Sequence, residues 1–157
     1  MPVLLVVMLA ALVWAWRSAW GDALSRLPLG VLVGFQGFRI LVEIGIHQAA
    51  VEGIAPMEMS WSGWNFDIVT GITALLLAPF AHRLPRWALL SWNVLGLALV
   101  SFVVGIGLLS MPTPLQQIDT EPPNTWIATW PYVWLPAVHV WLAWLGHLLV
   151  FRRLRTS

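Results

Sequence analysis

Five long apolar stretches, each bounded by short polar punctuation, constrain this chain more than anything else in its sequence. They run from about Val3 to Trp20, Leu27 to Val51, Trp64 to Pro79, Trp87 to Leu109 and Trp130 to Phe151. A helix needs about 20 mainly apolar residues to cross a bilayer. The pattern therefore predicts an all-α fold, a five-helix transmembrane bundle. Of the 157 residues, 59% are hydrophobic and 10% charged, against about a quarter charged in soluble domains. That excludes a water-soluble globule and leaves a single integral membrane domain spanning residues 1–157. A formal net charge of +1 gives no reason to expect nucleic acid as a partner. The absence of cysteine removes disulfides, thiolate metal sites and cysteine nucleophiles from consideration.

Every basic residue is arginine, and their positions predict the orientation. Arg17 and Arg26 lie between the first two stretches, Arg83 and Arg86 between the third and fourth, and Arg152, Arg153 and Arg155 after the fifth. The alternate connections carry Glu52 and Glu58, then Asp119 and Glu121. Positive charge stays on the cytoplasmic side, so the N-terminus is expected outside and the C-terminus in the cytoplasm. Met1 and Pro2 are uncharged and Arg17 follows the apolar run, the reverse of a cleaved signal peptide; the first segment reads as a retained anchor. The connection 110–129 contains Pro112, Pro114, Pro122 and Pro123, which prevent a continuous helix and suggest an outer cap or a partly re-entrant loop.

Twelve tryptophans gather mainly near the ends of the apolar stretches, where an indole ring is half buried and its N–H finds a partner. At about 100° per residue, Trp126, Trp130, Trp134, Trp141 and Trp144 would share one stripe, facing lipid or stacking on a flat ligand.

The second stretch carries the chemistry. Gln36, Arg39, Glu43 and His47 fall on one helical face, with Gly30, Gly34, Gly37 and Gly45 on the other. Gly30 and Gly34 make a pair suited to close helix packing. Arg39 and Glu43 would each cost about 2.5–3.5 kcal/mol in mid-membrane, so the polar stripe must face the bundle interior. One turn apart, the two are expected to pair. Ionisable groups at such depth point to an ion, proton or small-molecule site; the plainer alternative is that they only register the bundle.

Depth at about 1.5 Å per residue adds partners: Asp67 at the level of His47, His139 near Glu43, and Asn93 near Gln36. The expected column runs Asp67 and His47, Glu43 and His139, Arg39, then Gln36 and Asn93. Three chemistries fit it. The first is binding or relay of a proton, cation or polar solute. The second is a divalent metal on Glu43, His47, Asp67 and His139. The third is a b-type haem between His47 and His139. Asn65 or Asp67 is expected to cap the helix that follows, so Asp67 reads equally as a cap, and His82 and His147 read as interfacial groups near the cytoplasmic boundary. Pro131 and Pro136 are expected to kink the last span and free a carbonyl. No catalytic motif is recognised.

Size, five spans and tryptophan content are similar in composition to the tryptophan-rich sensory/translocator protein family, although Trp20–Pro28 lacks that family's aromatic-proline first loop. Gly34-Phe35-Gln36-Gly37-Phe38-Arg39 through Val42-Glu43, Asn65-Phe66-Asp67-Ile68-Val69-Thr70-Gly71 and Trp134-Leu135-Pro136 resemble a group of small bacterial multi-pass membrane proteins of unassigned function. That resemblance implies residence in the bacterial inner membrane and a shared polar core. The expected function is binding or translocation of a small solute, ion or proton, with membrane lipids as surroundings. The alternatives are a haem- or metal-binding membrane protein and an accessory subunit of a larger complex or homo-oligomer. The sequence names no cofactor.

Overall fold

Breaks in the helices fall at a capping serine, at prolines and at a left-handed glycine, with one 3₁₀ turn inside the second apolar stretch. In the computed structural model, which describes residues 2–156, helix α1 (Pro2–Arg17) ends at Ser18, whose hydroxyl accepts from Gly21 N–H at 3.0 Å and starts α2 (Ala19–Ser25). The two helices are bent by 73°, so the first apolar stretch turns at Arg17 rather than running straight to Trp20. Pro28 begins α3 (Leu29–Gly34), which continues through a tight 3₁₀ turn at Phe35–Phe38 into α4 (Arg39–Val51). Gly53, at φ +70°, ends α4 with the bond from Ile54 N–H to the Ala49 carbonyl that a left-handed C-terminal glycine permits. Next come α5 (Ile68–Leu77, extended by a 3₁₀ turn to Phe80), α6 (Arg86–Ser110), and a π-helical turn at Leu135–His139 leading into α7 (Val140–Thr156).

The described residues contain no strand. Leu29–Val51, Arg86–Ser110 and Leu135–Arg155 are long and apolar enough to cross a membrane, and a fourth span results if the bent α1–α2 pair is one. The third stretch gives only the shorter apolar helix Ile68–Phe80. Its register explains the shortness. Gly71 abuts Ile40, Gly37 abuts Leu75 and Gly34 abuts Ala78, an antiparallel contact between backbones of the kind small residues allow. That register sets Asp67 opposite roughly residue 44, on the order of 10 Å below the end of α4. The chain from Glu52 to Asp67 therefore descends into the bundle without α-helix, its one regular turn being a 3₁₀ turn at Met57–Met59. Ala55, Pro56, Met59, Ser60 and Asn65 are buried there. The backbone is bonded internally, Gly63 and Asn65 N–H to the Ser60 carbonyl and Trp64 N–H to that of Glu58. Irregular backbone survives at such depth only when protein encloses it.

Two apolar clusters divide the core. One joins Leu32, Val33, Ala81, Leu89, Val150 and Leu154 toward the arginine-bearing end. There Arg152 donates to the Trp16 carbonyl at 2.6 Å and pairs with Asp22 at 3.2 Å. The other joins Ile46, Ala49, Met59, Ile106, Trp126 and Ile127 at the opposite end. The proline-rich connection closes that end as a cap: Asn124 Nδ2 donates to the Gly107 carbonyl (3.1 Å) and to Ser110 Oγ (2.7 Å), tying the loop to the last turn of α6. The tryptophan stripe does not form. Trp126 lies on a separate 3₁₀ turn and the last helix starts only at Leu135, so Trp126 and Trp144 are buried while Trp130 and Trp134 are exposed.

Candidate functional site

One hydrogen-bonded chain of buried side chains runs through the bundle, and Arg39 is its hub. Its Nε donates to Asp67 Oδ2 at 2.6 Å and its Nη2 meets Asp67 Oδ1, a two-point pairing of guanidinium with carboxylate. Nη1 lies 3.0 Å from His147 Nε2, and Nη2 also donates to the Gly96 carbonyl at 3.3 Å. Four helical segments are thereby tied to one cation. Arg39 is 1% exposed and Asp67 5%, so neither charge can turn to solvent.

The expected pairing of Arg39 with Glu43 is corrected by this geometry. Glu43 accepts instead from Asn65 Nδ2 at 2.7 Å, and Asn65 Oδ1 accepts from Asp67 N–H at 3.0 Å. The Arg39 charge reaches Glu43 only at longer range. The descending 52–67 segment is the cause: it carries Asp67 below its expected depth, where the guanidinium meets it first. Asp67 is accordingly no side-chain cap for α5, whose start is held by Asn65.

Asn93 is buried as expected and partners His147, which lies inside the bundle and not at the expected boundary. Asn93 Nδ2 donates to the His147 carbonyl (3.0 Å), which turns Asn93 Oδ1 toward His147 Nδ1 at 2.8 Å. Nδ1 is then the ring's donor and Nε2 the acceptor for Arg39. His147 is 0% exposed. Gln36 is equally buried but stands apart, its Nε2 donating to the Ala143 carbonyl at 3.0 Å. His47 leaves the column altogether and stacks on Trp61, ring centroids 4.1 Å apart at 18°. His139 is off the hydrogen-bonded chain, although it lines a cavity together with Glu43. The π-helical turn inserts an extra residue and rotates it off the buried stripe of Ala143, His147, Val150 and Leu154. Its Nδ1 donates to the Trp134 carbonyl at 2.9 Å. Asn65 holds the start of α5 as one of the two expected caps, whereas its bond to Glu43 and the place of His147 in the chain are not anticipated by the sequence. For His147 the signal was its spacing of four from Ala143 and three from Val150, a buried helical face.

On the capped side of the Arg39–Asp67 pair lies a cavity of about 110 Å³. Leu4, Met8, Val104, Leu135 and Trp144 are among its apolar walls, and Arg39, Glu43, Asp67 and His139 its ionisable lining. Arg39 and Asp67 neutralise one another, so the cavity retains the unmatched carboxyl of Glu43 and the His139 ring. Among the described residues no three His, Cys, Asp or Glu side chains come together as metal ligands, the quartet Glu43, His47, Asp67 and His139 included. No family model, curated protein or solved structure matches the chain.

Proposed function

We propose that the chain is an integral protein of the bacterial inner membrane, crossing it five times with its N-terminus outside, and that it binds a small solute, ion or proton at Glu43. Placement of Arg17, Arg26, Arg83, Arg86, Arg152, Arg153 and Arg155 on one side supports the orientation. With the N-terminus outside, Ile68–Phe80 and its buried descending segment make the third crossing together. The observation that carries the functional reading is the cavity beside Glu43, a carboxyl group with no ion-pair partner among the described residues. An ionised carboxylate is expensive in a low-dielectric interior, so the group holds either a proton or a cationic or hydrogen-bond-donating guest. The Arg39–Asp67–His147–Asn93 chain closes the cytoplasmic side of the cavity. Binding is therefore the resting activity, and any passage requires that seal to open.

N,N′-Dimethylcarbodiimide, a reagent that adds to protonated carboxyl groups and is small enough for a cavity of about 110 Å³, tests the reading. Membranes carrying the protein should yield one adduct on Glu43 by mass spectrometry and none on Asp67, whose oxygens are occupied. Glu43→Gln should keep its helical circular dichroism and take up no reagent. A wild-type protein left unlabelled, or labelled at Asp67 instead, overturns the assignment of Glu43 as the exchangeable group.

A further inference from the structure

A second concavity lies directly outside the first. It is a groove of about 270 Å³ between α4 and the start of the last span, lined by Leu41, Val42, Gly45, Tyr132, Trp134 and His139. Leu41 is 75% exposed and Trp134 49%, and a Cβ on Gly45 would meet nothing within 4 Å. In a bundle lying in a bilayer, such an apolar flank faces acyl chains. Val42, Ile46, Leu135 and His139 line both the groove and the inner cavity, so these four residues form a wall shared between the lipid-facing groove and the cavity that Glu43 lines.

We propose that the ligand of this cavity is a lipophilic primary amine that reaches Glu43 sideways from the bilayer, through the groove between α4 and the π-helical turn. The inference rests on Glu43 being a ligand site and goes further by naming the ligand class and its route. Charge selects the head group. Asp67 is matched by Arg39, which leaves one carboxylate to be offset, and an ammonium ion offsets it while an acid or a phosphate adds to the imbalance. Two acceptors suit a primary ammonium: the Glu43 carboxylate, of whose lone pairs Asn65 takes one, and the Nε2 left to His139 once its Nδ1 is spent on the Trp134 carbonyl. The rings of Trp126 and Trp144 line the same space, and aromatic faces attract cations. The remaining walls are apolar and accept a hydrocarbon tail. The volume limits what lies inside: an apolar cavity of about 150 Å³ takes benzene, so one of about 110 Å³ holds a head and a few carbons, with the rest of the tail in the groove.

The test uses the full chain in lipid nanodiscs, titrated with n-hexylamine, hexan-1-ol and hexanoate and followed by intrinsic tryptophan fluorescence and stopped flow. Hexylamine should bind about tenfold or more tighter than hexanol, hexanoate should not bind, and Glu43→Gln should remove the amine's advantage. Gly45→Phe and Leu41→Trp, which fill the groove from open surface positions, should each slow hexylamine association by about tenfold and also weaken its binding, because part of the tail lies in the groove they fill. Equal binding of amine and alcohol, tighter binding of the acid, or no binding of any of the three overturns the ligand class. Unchanged association in both groove variants overturns the route. A carbodiimide adduct on Glu43 without an amine preference leaves the site standing and removes its ligand, whereas an unlabelled Glu43 removes the site itself.

Discussion

Asp67→Asn should lower the stability of the folded protein by about 3–5 kcal/mol, the cost of leaving one member of a buried ion pair without its counter-charge. Arg39 has no second carboxylate at bonding distance. Its remaining contacts, His147 Nε2 and the Gly96 carbonyl, are neutral. The guanidinium would stay buried and uncompensated, and the segment ahead of α5 would lose the anchor that holds it at depth. Arg39→Met is expected to be similarly harmful, because it strands the Asp67 carboxylate. The double variant Arg39→Met/Asp67→Leu removes both charges and should recover much of the loss. Unfolding in detergent, followed by circular dichroism against added dodecyl sulfate, reads all three. A single variant within about 0.5 kcal/mol of wild type would mean that the pair does not hold the bundle together.

Gly96→Val should be the most damaging apolar substitution on α6. A Cβ there would stand 2.6 Å from His147 Cε1 and 2.7 Å from Thr70 Cγ2, and His147 is itself fixed by Asn93 and Arg39. Relief requires α6 to move away or the imidazole to leave the Arg39 guanidinium. Overpacking of this kind costs about 1–3 kcal/mol, and loss of the charge-assisted contact adds about 1.5–3 kcal/mol. Gly105, with nothing within 4 Å of its notional Cβ, is the matched control; Gly105→Ala should leave stability unchanged or slightly raised. The same unfolding assay separates the two, and equal stabilities would show that the close approach at Gly96 is not needed.

Much of this architecture is legible in the sequence because lipid is an undemanding judge of composition: long uncharged runs must be helices, and buried charge must face inward. Arg39, Glu43 and Gln36 are buried in the bundle for that reason, and the Gly30 and Gly34 pair marks where the end of the third stretch comes close, both glycines abutting Ala78. Depth was harder to read. Counting at a fixed rise assumes that every residue after a boundary is helical, and the stretch from Glu52 to Asp67 breaks the assumption. Its descent moved Asp67 from the level of His47 to the reach of Arg39 and gave Glu43 a different partner. The same failure of periodicity, through a π-helical turn, exchanged His139 for His147 on the buried face. Asn65 was legible as a cap for the start of α5 but not as the partner of Glu43, since that bond depends on a side chain from another part of the chain.

The descending segment also bears on how the protein is put together. A helix carries its own backbone hydrogen bonds and can enter lipid before it has neighbours. The stretch from Glu52 to Asp67 cannot: its depth is tolerable only once Met59 and Asn65 are enclosed and Glu43 is there to receive the Asn65 amide. On the five-crossing topology proposed above, the third crossing is seated only once α4, α6 and the cap residues Trp126 and Ile127 are there to enclose it, so assembly closes on an internal piece of the chain and not on its last helix.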